Sequence, residues 1–230
     1  MTRAGAEPTG FASPNFGPRR GGLGPDLIVL HYTAMPTCAE ARDRLCDPAA
    51  EVSAHWLISE AGQAEQLVDE GMRAWHAGAG AWGMARDVNS RSVGIELANT
   101  GDAPFPEPQM AALERLLRQV MGRWSIPPER VIAHSDMAPE RKRDPGPRFD
   151  WRRLALGGLA VWPGAGGDGN TPLARSLAAF GYPAAPGEAL LQAFRLRFRP
   201  WAVGGEDAAD RALAHDLARR FPVDARGAHA

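Results

Sequence analysis

Lys142 is the only lysine in the 230-residue chain; every other fixed cation is an arginine. It stands eight residues after His134 and two before Asp144, in His134-Ser135-Asp136-Met137-Ala138-Pro139-Glu140-Arg141-Lys142-Arg143-Asp144. Where arginine serves for every other positive charge, a lone lysine points to a position that needs a compact, flexible ammonium in place of a planar fork. His31 closes the apolar run Leu27-Ile28-Val29-Leu30, and His134 closes Val131-Ile132-Ala133, so each imidazole stands at the end of an expected strand. Two neutral imidazoles and the Asp144 carboxylate form a three-ligand set of the type Zn²⁺ accepts, leaving a fourth tetrahedral position for water. That open position signals catalysis.

Each neighbouring residue has a plainer role to set beside the chemical one. Asp144 precedes Pro145-Gly146-Pro147, which stiffens its loop, although Asp-Pro-Gly alone is a common turn; the metal role rests on its spacing from His134 and Lys142. Glu96 falls inside the apolar run Ile95-Glu96-Leu97. It is either an ion-paired structural glutamate or a base projecting into a zinc-lined cleft, and the base role is favoured. Lys142 is either a solvated charge within Arg141-Lys142-Arg143 or the group that stabilises an oxyanion, and its uniqueness favours the second. His215 and His229, in the helical tail and at the terminus, read as structural.

These sites need elements to position them. Strands are expected at Leu27 to Leu30, Val52 to Ile58, Ala64 to Val68 after a turn at Gly62, and Ser92 to Asn99. Thr37-Cys38-Ala39-Glu40 carries the capping-box pattern of a helix start. A helix running on to Cys46 separates the two cysteines by roughly 12 Å, beyond disulfide reach, so both are expected reduced. Residues 71–90 read as a glycine-rich loop. Met110, Leu113, Leu116, Leu117, Val120, Met121 and Trp124 fall at helical spacing over Glu107 to Trp124, ahead of Pro127-Pro128. Strands interleaved with helices argue for an α/β domain whose sheet is covered by helices. This domain spans residues 1–162 with a flexible extension over 1–24. A linker over 163–170, too poor in apolar groups to pack, leads to three short helices at Thr171 to Phe180, Gly187 to Phe198 and Asp207 to Phe221, a unit spanning 171–224 that is marginal alone.

Composition excludes other classes. A hydrophobic content of 44% and a formal net charge of -1 describe an ordinary globular chain without the single-signed field that holds nucleic acid. No segment is long and apolar enough to span a bilayer, and Met1 to Gly24 lacks the apolar stretch of an export signal, so a cytoplasmic location is expected.

Taken in order, His31-Tyr32-Thr33, Ser53-Ala54-His55-Trp56-Leu57-Ile58, Trp75-His76-Ala77-Gly78, Ser92-Val93-Gly94-Ile95-Glu96 and His134-Ser135-Asp136 leading to Lys142-Arg143-Asp144-Pro145-Gly146 resemble the zinc-dependent N-acetylmuramoyl-L-alanine amidases of the type 2 amidase and peptidoglycan recognition protein superfamily, most closely the AmiD-like branch. The resemblance covers nearly the whole chain. It implies a mixed central β-sheet flanked by helices, one zinc ion on His31, His134 and Asp144, Glu96 as acid and base, and Lys142 as stabiliser of the intermediate. The resemblance implies that the substrate is peptidoglycan or a muropeptide, cut at the amide between the lactyl group of N-acetylmuramic acid and L-alanine, and a monomer is expected. His55, Trp75, His76 and Asn89 match positions that line or support the substrate groove, and the helical tail resembles the family's small peptidoglycan-binding module. The absence of a leader favours 1,6-anhydro-muropeptide fragments over intact wall. The rival readings are a binding-only muropeptide recognition protein, which typically lacks one metal ligand, and a phage-type lytic amidase.

Overall fold

The computed structural model describes residues 13–22 and 24–224. Strand β1 (Phe16–Pro18) leads to β2 (Leu27–Tyr32), helix α1 (Cys38–Cys46), β3 (Trp56–Ile58), β4 (Ala64–Gln66), β5 (Met72–Ala74), α2 (Val88–Arg91) and β6 (Ser92–Leu97). Then follow α3 (Glu107–Trp124), β7 (Val131–Ala133), α4 (His134–Met137), α5 (Trp151–Leu156), α6 (Leu173–Phe180), α7 (Gly187–Phe198) and α8 (Ala208–Arg220). The main sheet runs β4-β3-β6-β2-β7, with β4 antiparallel to β3 and the other neighbours parallel. It is the mixed, helix-flanked sheet that the motifs imply.

Leu27, Ile28, Val29 and Leu30 are all fully buried, as a central strand covered on both faces requires. Side chains alternate across a strand, so Ile28 and Leu30 join Val93, Ile95, Val131 and Ala133 in a core beneath Leu113, Leu116, Leu117 and Val120 of α3. Leu27, Val29 and Ile132 face the other way, into a core built with Leu177, Phe180, Phe194, Phe198 and Leu217 of α6, α7 and α8. The C-terminal helices therefore cover the same sheet face that carries His31.

Thr37 caps α1, its Oγ1 accepting from the Glu40 amide at 3.2 Å, and neither Cys38 nor Cys46 is in a disulfide. Helix α3 occupies the expected Glu107–Trp124 and ends at Ser125, whose φ of 55° turns the chain out of the helix.

Several expectations need correction. Residues 13–22 are not a flexible extension: β1 pairs with β5, Ser13 and Asn15 are buried, and Asn15 Nδ2 donates to the carbonyls of Asp47 and Val52 at 2.8 Å. Arg19 donates to the carbonyls of Glu70, Asn89, Ser90 and Ser92. Residues 1–12 and 23, the rest of that expected extension, and His229 lie outside the described residues. The strand expected from Val52 begins only at Trp56, because Ser53 N and His55 N bond to the carbonyls of Trp75 and Gly94 outside a regular ladder. Within the expected loop over 71–90, β5 forms because β1 supplies its partner, and α2 forms on the cap of Asp87, whose Oδ1 accepts from Ser90 N. The linker over 163–170 does pack. Gly164 N donates to Asp216 Oδ2 at 2.7 Å, Asp168 N to His215 Nδ1 at 2.9 Å, and a Cβ at Gly167 would lie 1.7 Å from the Ala212 carbonyl oxygen. Glycine and hydrogen bonds supply what apolar side chains do not.

The junction between β7 and α4, where His134 begins, is tied to α7. Arg197 is fully buried, donating to Asp136 Oδ2 at 2.5 Å and to the Val131 carbonyl at 3.1 Å, with its guanidinium 4.1 Å from the Trp151 ring centroid. Tyr182 donates to the other Asp136 oxygen, and Asp136 Oδ2 also accepts from Ala133 N at 2.9 Å. Removing one partner of such a pair strands a charge in the core, so Arg197→Met is expected to lower unfolding stability by about 3–5 kcal/mol. Urea denaturation of the variant measures this; a loss under about 1 kcal/mol would show that the pair is not needed there.

Candidate active site

Register brings the chemistry together. Across the parallel pair of β2 and β6, His31 sits directly opposite Glu96, and across β2 and β7, Leu30 sits opposite Ala133, so that His134 follows one step beyond. Three parallel strands thus deliver His31, Glu96 and His134 at their carboxyl ends, where open α/β sheets place their ligands. Asp144 returns to this point because its carbonyl accepts from Ser135 N at 3.1 Å.

His31 Nδ1, His134 Nδ1 and Asp144 Oδ2 lie within 3.0 Å of one another. All three residues are buried. His134 Nε2 sits 2.9 Å from the Ala77 carbonyl, which can only accept, so Nε2 carries the proton and Nδ1 turns a bare lone pair toward the carboxylate. Burial lowers His31 to about 4, with the neighbouring His134 acting in the same direction, and this holds His31 neutral at physiological pH. A cluster of electron-pair donors of this kind fits a divalent cation: two nitrogens and one oxygen, facing inward around one point.

Glu96 lines the same cleft of about 460 Å³, together with Thr33, Met35, Arg44, Trp75, His76, Lys142 and Arg143. Its Oε2 is buried without a hydrogen-bond partner among the described residues. Burial raises its carboxyl to about 8, the charge of Asp144 adds to the shift, and Lys142 opposes it. The Lys142 side chain is half-buried and makes no ion pair among the described residues, so its ammonium is free to meet an incoming group.

The expected substrate contacts separate into two sets. Trp75 and His76 line the cleft; His55 and Asn89 do not. His55 is fully buried: its Nδ1 accepts from Gly94 N at 2.9 Å and its Nε2 lies 3.1 Å from the Met72 carbonyl, with burial lowering it to about 3. It ties β6 to β5. Asn89 is buried as well, and its Oδ1 accepts from the amides of His76 and Ala77 at 3.1 and 2.8 Å. The structure adds partners that the motifs do not reveal: the Ala77 carbonyl on His134, Ser92 on His76, and the Arg197–Asp136 pair below α4. None has a local sequence signal, since each pairs residues far apart in the chain.

With this geometry in place, the family description N-acetylmuramoyl-L-alanine amidase matches residues 21–147. The chain belongs to that family. N-acetylmuramoyl-L-alanine amidase AmiD of Escherichia coli is 36% identical over 237 residues, spanning 86% of this chain and 84% of the relative. A solved structure of the E. coli amidase AmiD, in complex with the substrate anhydro-N-acetylmuramic acid-L-Ala-D-gamma-Glu-L-Lys, superposes with a TM-score of 0.78 at 33% identity, covering 96% of this chain and 94% of that one. AmpDh3 of Pseudomonas aeruginosa, solved in complex with an anhydromuramic pentapeptide, superposes with a TM-score of 0.79 at 28% identity, covering 96% of this chain and all of that one. Among the described residues no helix is long and apolar enough to cross a membrane.

The Glu96 environment makes a test in the metal-free amidase. A carboxyl whose folded pKa is raised contributes its stability below the unfolded value of 4.5 and loses it as pH climbs toward about 8. The depressed histidines act oppositely, gaining stability up to their unfolded value of 6.5 and none above it. Between pH 6.5 and 8 Glu96 therefore dominates, and chelator-treated protein is expected to lose thermal stability across that interval. Glu96→Gln should flatten the slope in a series of melting curves; an equal slope in both proteins would place Glu96 in a solvated environment.

Proposed function

We propose that the chain is a zinc-dependent amidase that cleaves the bond between N-acetylmuramic acid, in its 1,6-anhydro form, and the L-alanine of peptidoglycan stem peptides. The observation that carries this reading is the inward-facing triad of His31, His134 and Asp144 beside an unpartnered Glu96 oxygen. Anhydromuramyl peptides occupy two of the similar solved structures, which supports the fragment form of the substrate. A binding-only role is disfavoured by the complete ligand set.

His31, His134 and Asp144 would hold the zinc. When bound, the ion supplies Lewis acidity and lowers the pKa of a water molecule toward neutrality. Glu96, next to His31 on the adjoining strand, takes the proton of the attacking water and returns it to the departing alanine amine, which leaves poorly until protonated. Burial makes this carboxyl more basic, and the positive charge of a bound zinc ion nearby would favour its ionised, proton-accepting form. Lys142, on the cleft wall, stabilises the oxyanion that develops on the amide. Arg44, Arg141 and Arg143 line the same cleft and offer cations to the carboxylates of the stem peptide, while Trp75 gives a flat surface for a sugar or peptide face.

Incubation with a defined anhydromuramyl tripeptide, followed by mass spectrometry of the products, is expected to give free tripeptide and anhydro-N-acetylmuramic acid. Chelation should abolish release, and added Zn²⁺ should restore it. Glu96→Gln is expected to keep zinc yet lose at least about 100-fold in kcat, the lower range for a positioned acid-base group. Asp144→Ala should lose the metal itself, and Lys142→Arg should be impaired because a planar guanidinium cannot take the place of an ammonium. An intact substrate after incubation with metal-replete protein, or wild-type turnover in Glu96→Gln, would remove this reading.

A further inference from the structure

The dipeptide His76-Ala77 touches both metal-ligating imidazoles, each through a different atom. On one side the Ala77 carbonyl fixes the proton of His134 on Nε2. On the other, Ser92 Oγ lies 2.5 Å from the Val88 carbonyl, to which it donates its one proton, so at its 3.1 Å contact with His76 Nε2 it accepts. His76 therefore carries its proton on Nε2 and accepts at Nδ1. The donor at Nδ1 is His31 Nε2, 3.0 Å away, which leaves His31 Nδ1 as a bare lone pair beside Asp144. A serine, a histidine and a backbone carbonyl thus set the tautomer of one ligand; a second backbone carbonyl sets that of the other.

Both branches depend on where His76-Ala77 sits, and both of its amides are held by a single atom, while Arg141 Nη2 also donates to the Ala77 carbonyl at 3.2 Å. Asn89 Oδ1 accepts from both amides of the dipeptide. Asn89 stands in α2, directly ahead of β6, whose Ser92 closes the chain behind His76. The His76 ring lies close against β6 where Gly94 leaves room: a Cβ there would be 2.4 Å from His76 Cγ. With both ring nitrogens of His76 engaged inside the protein, neither is left to bind substrate.

We propose that Asn89, His76, the Ala77 carbonyl and Ser92 form one positioning unit that sets the tautomer and aim of both metal-ligating histidines, and that His76 and Asn89 act through those ligands rather than by gripping the substrate. The inference rests on the zinc reading given above. Partners of this kind typically change metal affinity 10–100-fold when lost, because they hold the ring in place and raise its basicity.

The test measures zinc affinity by competition with a chromophoric chelator, and imidazole tautomers by nitrogen-15 NMR of the metal-free protein. His76→Phe keeps a flat ring but no acceptor, and is expected to bind zinc about 10–100-fold more weakly, with His31 passing from the Nε2–H form to a mixture. Asn89→Ala should weaken zinc binding in the same direction, whereas Asn89→Asp, which retains the accepting oxygen, should restore most of it. Ser92→Ala, the smallest change, is expected to shift the His31 tautomer even if His76→Phe fails to fold. Unchanged zinc affinity in His76→Phe and Asn89→Ala, with a raised KM alone, would return these residues to the substrate groove and overturn the proposal. A wild-type protein that binds no zinc would instead overturn the metal reading, while the tautomer spectra, recorded without metal, would still decide on the relay.

Discussion

Two imidazole nitrogens and a carboxylate oxygen are held within 3.0 Å of one another with their lone pairs converging, and the rest of the structure depends on how that arrangement is kept. Such atoms repel unless a cation lies between them, and burial removes the water that would screen the repulsion. The fold must therefore supply the geometry in advance. It does so with parallel-strand register, which places His31 opposite Glu96, and with outer partners that keep protons off the inward-facing nitrogens.

The sheet and its two covering layers divide the work. The face toward α3 is mainly apolar and gives the central strands their stability, with the buried Gln109 of α3 donating to the Ile58 and Ala98 carbonyls. The opposite face is apolar along most of its length, beneath α6, α7 and α8, and becomes chemical only at the carboxyl ends of β2, β6 and β7. The C-terminal helices belong to this second core as fully as the sheet does: Phe180 and Phe198 pack there, and Arg197 reaches through to two residues on either side of His134, Val131 at the start of β7 and Asp136 in α4. A buried ion pair of this kind stabilises little by itself, but it specifies one arrangement of the junction. Whatever else these helices contact, they also hold His134 in place.

Much of this is legible in the sequence, for physical reasons. Apolar runs ending in His31 and His134 mark strands buried on both faces, and α3 follows from helical spacing bounded by prolines. The lone Lys142 and the spacing from His134 to Asp144 point to the site, and the structure brings His31, His134, Asp144, Glu96 and Lys142 to one cleft. What cannot be read is what pairs residues across long separations. Ser13 and Asn15 sit in a segment with flexible composition yet are buried by contacts to residues more than thirty positions away. His55 lies within one of the matching motifs and Asn89 just ahead of another, but both serve the backbone around the site, since a motif records proximity to the chemistry without saying whether a side chain faces the cleft or supports it.

The most direct test of the central claim is X-ray absorption at the zinc edge on metal-replete protein without substrate. The expected result is a four-coordinate ion with two imidazole nitrogens at about 2.0–2.1 Å and two oxygens at about 2.0–2.2 Å, one from Asp144 and one from water. Loss of one nitrogen in His31→Ala and another in His134→Ala should follow. A six-coordinate, oxygen-rich ion, or a spectrum unchanged by removing either histidine, would contradict it.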